Sequence, residues 1–86
     1  MTLEERFADA QQRVMALPAA PGPDTMLELY GLYKQATAGD VAGKRPGMLD
    51  IKGRAKHDAW EKRRGLGREA AMREYVALVD RLVATR

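Results

Sequence analysis

The 86-residue sequence contains no cysteine, no serine and no asparagine, and it has a single histidine, His57. Without cysteine the chain can form no disulfide, no thiolate metal site and no cysteine nucleophile. The missing serine and the single histidine remove most of the side chains on which hydrolytic and metal catalysis depend. Asp58 follows His57, but adjacent helical side chains diverge by about 100° and form no relay. These absences favour a binding function over an enzymatic one.

Long apolar runs are also absent. No run approaches the ~20 residues that a helix needs to span a bilayer, and the charged start of the chain does not resemble a secretory signal. We therefore expect a cytoplasmic protein. The length corresponds to a single small domain, residues 1–86, which can bury a modest core but cannot also enclose a deep pocket.

Charge is unevenly distributed along the chain. The net charge is +3, with −3 in residues 1–43 and +6 in residues 44–86. A basic second half suggests an anionic partner, such as nucleic acid, a membrane surface or a phosphorylated ligand. A solvated helix surface explains the same charges, and acidic residues are mixed through this half. A small nucleic-acid-binding module is therefore an alternative, and the cluster at 62–64 favours it.

Apolar periodicity predicts an all-α protein with four helices, at about 3–17, 24–38, 51–63 and 68–84. Thr2 and Glu5 form a capping-box pattern before the first helix, and Asp24 and Asp50 are expected to cap the second and third. Gly39 is expected to end the second helix. Residues 39–50 show no period and form a long loop between helices 2 and 3, a type of segment that is often functional.

Two helices carry side chains suited to an anionic aromatic ligand. Tyr30, Tyr33 and Lys34 lie at i, i+3 and i+4, so that two phenols and an ammonium share one helix face. Lys52 and Lys56 form a second pair, on helix 3. Lysines suit phosphate, and phenols offer hydrogen bonds and a surface on which a purine can stack. The same pattern is typical of a core edge with a snorkelling lysine, and spacing alone does not decide between the two.

Tyr75, on helix 4, should face inward between Met72 and Val79, where a buried phenol needs a hydrogen-bond partner. It can equally be a core tyrosine whose hydroxyl is satisfied by the protein. No array of Asp, Glu, His or Cys has metal-ligand spacing, and no glycine-rich phosphate-binding pattern occurs. We therefore expect no metal and no cofactor.

Longer strings of the sequence resemble the acyl-CoA-binding protein family. The signature stretch is Leu29-Tyr30-Gly31-Leu32-Tyr33-Lys34-Gln35-Ala36-Thr37-Ala38-Gly39-Asp40. The likeness continues through Arg45-Pro46-Gly47-Met48-Leu49-Asp50-Ile51-Lys52-Gly53-Arg54-Ala55-Lys56, Asp58-Ala59-Trp60, Gly65-Leu66-Gly67 and Ala71-Met72-Arg73-Glu74-Tyr75. It covers essentially the whole chain.

The resemblance implies a four-helix up-down-down-up bundle, with a long loop between helices 2 and 3, that binds medium- and long-chain fatty acyl-CoA with high affinity. Such a protein carries and buffers the intracellular acyl-CoA pool in lipid metabolism and is not an enzyme. Acyl-CoA is then a carried ligand rather than a cofactor. A thioesterase or acyltransferase could share this ligand, but the chain lacks the nucleophile and the base that either would need.

The resemblance also assigns roles to individual residues. Tyr30, Lys34 and Lys56 would contact the 3′-phosphate of the CoA ribose, Tyr33 and Lys34 would flank the adenine, and Tyr75 would hydrogen-bond along the acyl-pantetheine part. Met26 and Leu27 would lie beside the acyl chain. Three further candidates on the same helices, together with one at the end of helix 1, complete the predicted ligand-binding set: Met15, Gly31, Leu32 and Lys52.

Three positions depart from the family's usual pattern. His57 stands where members often have the first tryptophan of a Trp-x-x-Trp pair, of which Trp60 remains. Met15 and Ala20 stand at positions that are often basic. We expect the ligand class to be retained, with weaker electrostatic attraction. As to partners, we expect a monomer that binds long-chain acyl-CoA, binds no nucleic acid, inserts stably into no membrane, and contacts membranes or acyl-CoA-using enzymes only transiently.

Overall fold

The computed structural model describes residues 1–84 and contains, within that range, four α-helices and no strand. They are α1 (Leu3–Met15), α2 (Pro23–Ala38), α3 (Ile51–Glu61) and α4 (Arg68–Ala84). The predicted all-α class is confirmed. The segment between α2 and α3 is the long loop expected from the sequence, and it has no regular structure.

The first helix begins as predicted and ends two residues early. The Thr2 backbone N–H donates to Glu5 Oε1 at 2.9 Å, and the Glu5 N–H donates to the Thr2 hydroxyl at 3.1 Å, which completes the capping box. Helix α1 ends at Met15, and Ala16 is its C-cap. Pro18 disfavours helical geometry at the residue before it, so the last turn cannot reach residue 17.

The prediction that Asp24 caps α2 is wrong. Gly22 is the N-cap and makes no side-chain hydrogen bond, and Pro23 occupies the first helical position. Proline suits that position because its fixed φ is helical and its missing N–H has no partner there in any case. Asp24 lies in the first turn instead, where its negative charge interacts favourably with the positive end of the helix dipole.

The other predicted ends are close to those observed. Gly39 ends α2 with φ +82°, a backbone conformation that is unfavourable for residues with a Cβ atom. Asp50 caps α3, because its Oδ1 accepts the Gly53 N–H at 2.9 Å. Helix α3 stops at Glu61 rather than 63, since the chain tightens into i+3 hydrogen bonds over residues 62–65 and Gly65 adopts φ +87°.

Contacts between the helices define their directions. Helix α2 packs on α3 and on α4, and α4 also packs on α1. Positions 7 and 13 of α1 contact positions 75 and 80 of α4 in the same order, so α1 and α4 are parallel. Positions 30 and 34 of α2 likewise contact positions 56 and 60 of α3, so α2 and α3 are parallel. Residue 35 of α2 meets residue 66, just before α4, whereas residue 32 lies near 78, so α2 and α4 are antiparallel. This is the predicted up-down-down-up arrangement.

The core lies between α1, α2 and α4. Its buried members are Phe7, Ala10, Leu29, Leu32, Ala36, Ala71, Tyr75, Leu78 and Val79. Helix α3 contributes no fully buried residue. It stands at the side of the bundle against α2 alone, which leaves a concave surface rather than a closed one.

Polar contacts hold α3 and the long loop in place. The Trp60 indole N–H donates to the Gly39 carbonyl oxygen at 2.7 Å. Arg45, in the loop, makes a two-pronged contact with the Asp58 carboxylate at 2.7 and 2.8 Å. This guanidinium lowers the pKa of Asp58. Both contacts fasten the loop to the same helix.

A network of hydrogen bonds among Gln35, Asp40, Gly65 and Leu66 joins the end of α2 to the start of α4. Asp40 Oδ1 accepts the Gly65 N–H and the Gln35 side-chain amide, each at 2.8 Å. The same amide nitrogen donates to the Leu66 carbonyl oxygen at 2.8 Å, and Gln35 is only 1% exposed. The Gly65 N–H, and secondly the Gln35 amide, hold the pKa of Asp40 below its ordinary value of 3.8.

The hydrogen bonds to the Asp40 carboxylate predict an acid-sensitive contribution to stability. Because the folded pKa of Asp40 is depressed, its contribution is present above pH 3.8 and is lost as the pH falls through and below that value. Asp40→Ala should lower the thermal midpoint at neutral pH and flatten the fall in stability on acidification. Thermal unfolding followed by circular dichroism across this pH range measures both. Glu74→Gln is the control, and an Asp40→Ala profile that runs parallel to the wild type would contradict the assignment.

Candidate functional site

Two neighbouring grooves open on the concave side of the molecule. The central groove, about 450 Å³, lies between α1, α2 and α4, and the α2–α3 groove, about 440 Å³, lies between those two helices. Met26 and Tyr30 line both, so the grooves meet at these residues. The central groove is lined by Gln11, Val14, Met15, Leu17, Ala20, Pro21, Met26, Leu29, Tyr30, Tyr33 and Tyr75. The α2–α3 groove is lined by Pro23, Met26, Leu27, Tyr30, Ile51, Lys52, Ala55 and Lys56.

Aromatic packing fixes the wall of the central groove. The Phe7 ring lies edge-on to Tyr75, with centroids 5.0 Å apart, and stacks on Tyr33 at 6.1 Å. Phe7 is buried, whereas Tyr33 is partly exposed. The buried ring therefore holds two tyrosines from different helices in fixed orientations at the groove.

The phenol groups at this groove remain free to bind a ligand. Within residues 1–84, the hydroxyls of Tyr30, Tyr33 and Tyr75 make no hydrogen bond to the protein. Burial, with a smaller contribution from Tyr33, raises the pKa of Tyr75. The Tyr75 hydroxyl therefore stays protonated at neutral pH and can donate to an oxygen of a bound molecule.

Two lysines lie on aromatic rings at the α2–α3 contact. Lys56 Nζ is 5.5 Å from the Tyr30 ring centroid, and Lys34 Nζ is 4.8 Å from that of Trp60. Tyr30 and Lys34 are one helical turn apart on α2, and Lys56 and Trp60 are one turn apart on α3, about 6 Å in each case. The two ammonium groups are thus brought to neighbouring places on one interface.

These lysines are not engaged in ion pairs. In the described part of the chain, arginine makes every ion pair except a 4.0 Å approach of His57 to Asp58. An exposed cation–π contact is worth about 0.5–1 kcal/mol, whereas a hydrogen bond to a charged group contributes about 1.5–3 kcal/mol. An anionic ligand can therefore draw Lys34 and Lys56 away from their rings.

The close approach of α3 to α2 depends on a glycine. A Cβ placed on Gly31 would collide with the Ala59 carbonyl oxygen and would lie 2.9 Å from its carbon. Gly31 is buried, and Ala59 and Trp60 of α3 are its neighbours there. Only glycine permits this separation, so Gly31 acts on the site through helix spacing rather than through contact with a ligand.

The structure distributes the predicted ligand-binding residues unevenly. Both grooves share Met26 and Tyr30; Tyr33, Tyr75 and Met15 line the central groove; and Leu27, Lys52 and Lys56 line the α2–α3 groove. Three predicted residues line neither. Gly31 is covered by α3, Lys34 lies over Trp60, and Leu32 is 3% exposed and faces α4.

Several lining residues were not among the predicted set. Gln11 and Val14 of α1, and Leu17 with the linker residues Ala20 and Pro21, form one side of the central groove. Positions 11, 14 and 15 share a helix face, and this spacing could have indicated the groove. Of α1, only Met15 was among the predicted ligand-binding residues. Ile51 of the α2–α3 groove was also missed, because nothing in a lone apolar residue after a loop distinguishes lining from core.

The central groove contains no charged lining residue. Met15 and Ala20, the two departures at often-basic positions, both lie there, so among the described residues the charged lining of the two grooves is Lys52 and Lys56 of α3. His57 lies outside both grooves; its side chain is 16% exposed and its ring nitrogens make no hydrogen bond. With no serine or cysteine in the sequence, His57 has no nucleophile of these kinds to activate.

The described residues form neither a metal-binding cluster nor a membrane-spanning helix. Among residues 1–84, no three His, Cys, Asp or Glu side chains come together as a metal site would require. In the same range, none of the helices has the length and apolar character needed to cross a membrane.

Comparison with known proteins identifies the family. The sequence model described as "Acyl CoA binding protein" matches residues 4–79. An acyl-CoA-binding protein homolog from Manduca sexta is 48% identical over 99% of this chain and 96% of the relative. The acyl-CoA-binding protein of Saccharomyces cerevisiae is 45% identical over 95% of this chain and 94% of its own.

Solved structures agree with this comparison. Acyl-CoA-binding protein 2 from Oryza sativa superimposes with a TM-score of 0.92 at 40% identity, over 96% of this chain and 90% of that one. The solution structure of acyl coenzyme A binding protein from yeast superimposes with a TM-score of 0.72 at 47% identity, over 92% of each chain. The chain belongs to the acyl-CoA-binding protein family, and the resemblance stated from the sequence is confirmed. Membership in a family of binding and carrier proteins supports the predicted function of acyl-CoA binding and transport.

The glycine contact predicts how the site responds to a single methyl group. Gly31→Ala should push α3 away from α2 and separate Lys56 from Tyr30, lowering the free energy of unfolding by about 1–3 kcal/mol and weakening ligand binding. Denaturant unfolding and titration with a long-chain acyl-CoA measure the two effects. Gly47→Ala is the matched control, because a Cβ at Gly47 meets nothing within 4 Å. Unchanged stability and affinity in Gly31→Ala would show that the contact is not a constraint.

Proposed function

We propose that the protein binds medium- and long-chain fatty acyl-CoA thioesters with high affinity in the two joined grooves and carries and buffers them in the cytoplasm. The observation that carries this proposal is the meeting of free phenols and unpaired lysines at the edge of apolar grooves. This combination suits a ligand with an anionic aromatic head and a hydrocarbon tail.

The head group is held from α2 and α3. Lys34 lies one helical turn from Tyr30, the ring that Lys56 covers, and Lys56 lies one turn from Trp60, the ring that Lys34 covers. Both ammonium groups can therefore close on a single phosphate, the 3′-phosphate of CoA, beside the Tyr30 hydroxyl. The Tyr33 ring is exposed at the central groove and can stack on the adenine together with Lys34. Lys52, one turn before Lys56, adds positive charge nearby.

The remaining ligand runs along the groove walls. Tyr75 supplies a protonated hydroxyl to the pantetheine or thioester oxygens from the wall of the central groove. Met26 and Leu27 line the α2–α3 groove and cover the acyl chain there. Each methylene removed from water contributes about 0.8 kcal/mol, so eight of them would contribute roughly 6 kcal/mol. The head then determines which ligand is bound, and the tail determines how tightly.

The proposed protein carries its ligand without changing it. No Ser or Cys is present, and His57 lies outside the grooves, so nothing near the proposed thioester position acts as nucleophile and base together. A carrier needs only groups that bind, shield the tail from water and release. The grooves are open to solvent along one side of the molecule and permit ligand exchange without unfolding. A single chain contributes every residue named in the proposal, so the proposed binding needs no second copy of the protein.

Calorimetric titration with bare CoA and with a long-chain acyl-CoA tests the proposal. Bare CoA should bind through the head-group contacts alone, and the acyl-CoA should bind at least about a hundredfold more tightly because its tail is removed from water. Incubation of the complex followed by a free-thiol assay serves as the control for catalysis, and no thiol should be released. Equal affinities for the two ligands, or binding of neither, would contradict the proposed function.

A further inference from the structure

A glutamine side chain lies in the wall of the central groove. Among the described residues that line this groove, the polar side chains are three tyrosines and Gln11, and the others are apolar. Gln11 therefore brings to the groove a carboxamide, a group that donates and accepts hydrogen bonds at the same time. The side chain is half-buried and uncharged, so it suits a neutral polar group of a ligand rather than a phosphate.

The Gln11 carboxamide is almost free of the rest of the protein. Its Nε2 donates to the Phe7 carbonyl oxygen at 3.4 Å, which is longer than the ~2.7–3.2 Å of an ordinary hydrogen bond. Within residues 1–84, its Oε1 accepts no hydrogen bond. Gln35 of α2 differs, because its amide nitrogen makes two structural hydrogen bonds of 2.8 Å. Gln11 thus keeps both a donor and an acceptor available to a ligand.

Gln11 lies across the groove from Tyr30 and Tyr33. Helix α1 is parallel to α4, and α4 is antiparallel to α2, so α1 and α2 run in opposite directions on the two sides of the groove. The Phe7 ring stacks on Tyr33 and joins the two sides at one level. Gln11 is one turn after Phe7 on α1, and Tyr30 is about one turn before Tyr33 on α2, a shift of roughly 4.5–6 Å in the same direction. A flat ring that rests on Tyr33 therefore presents an edge to Gln11.

We propose that Gln11 recognises the adenine base of the ligand: its Oε1 accepts from the 6-amino group, and its Nε2 donates to the adjacent ring nitrogen. This rests on the proposed function, in which the adenine stacks on Tyr33. Glutamine pairs with adenine through the same two hydrogen bonds in nucleic-acid recognition. In a groove lined mainly by apolar side chains, water competes less for these bonds. A base without the amino group leaves Oε1 unpaired, so Gln11 selects the base, whereas Lys34 and Lys56 bind the phosphate.

Calorimetric titration of the protein with two ligands tests this recognition. One ligand is a long-chain acyl-CoA, and the other is the same thioester with unsubstituted purine in place of adenine, which removes only the 6-amino group. The wild type should bind the purine ligand about fivefold more weakly than the adenine ligand. Gln11→Ala should bind the adenine ligand about tenfold more weakly than the wild type does, and should bind the two ligands within about twofold of each other. Alanine is a better helix former than glutamine, so circular dichroism should show an unchanged fold.

Gln12→Ala is the matched control. Gln12 is the neighbouring glutamine of α1, but it is exposed and does not line the groove, so both affinities should stay within about twofold of the wild type. Base recognition by Gln11 is overturned, with the proposed function intact, if the wild type binds both ligands tightly and equally. It is also overturned if Gln11→Ala keeps the wild-type preference for adenine, or if Gln12→Ala loses that preference as well. Failure of the wild type to bind acyl-CoA at all would instead contradict the proposed function itself.

Discussion

The contact between α2 and α3 at Gly31 is the constraint on which the site depends. Because α3 buries none of its own residues fully, it has no core to hold it and relies on the fit of its backbone against α2. That fit brings Lys56 to the Tyr30 ring and Trp60 to Lys34. The same approach lets the indole N–H reach the carbonyl oxygen that ends α2. The absence of a side chain at Gly31 therefore lets α3 approach α2, and this approach places Lys56 at the α2–α3 groove.

The basic residues divide into two kinds of use. Arginines tie the structure together: Arg45 fastens the long loop to α3, and Arg13 joins α1 to α4 through Asp80 at 2.8 Å. Lys34, Lys52 and Lys56 make no such pairs within residues 1–84, and Lys34 and Lys56 rest on aromatic rings. A planar guanidinium suits fixed carboxylate contacts, whereas an ammonium on a flexible stem can move to an incoming phosphate. Lys52 and Lys56, which line the α2–α3 groove, thus keep a charge that no ion pair within residues 1–84 neutralises.

Much of the fold followed from local sequence signals. The capping box at Thr2, the glycine after α2 and the periodic apolar faces have local physical causes, and the structure reproduces them. The cap of α2 was wrong because Pro23 prefers the first helical position more strongly than Asp24 prefers the cap. Apart from Met15, the groove wall from α1 was not predicted, since lining a shallow groove and packing on a neighbour require the same apolar residues. Whether a lysine turns toward ligand or solvent depends on contacts far apart in sequence, which periodicity does not encode.

The central claim is that Lys56 binds the 3′-phosphate of the CoA head. The most direct test is a double cycle of calorimetric titrations: wild type and Lys56→Ala, each with a long-chain acyl-CoA and with its 3′-dephospho analogue, and Lys62→Ala as control. Removal of the lysine should weaken binding of the intact ligand by about 1–3 kcal/mol and should have little effect once the phosphate is gone. If the two losses are simply additive, Lys56 does not contact that phosphate and the account of the site is wrong.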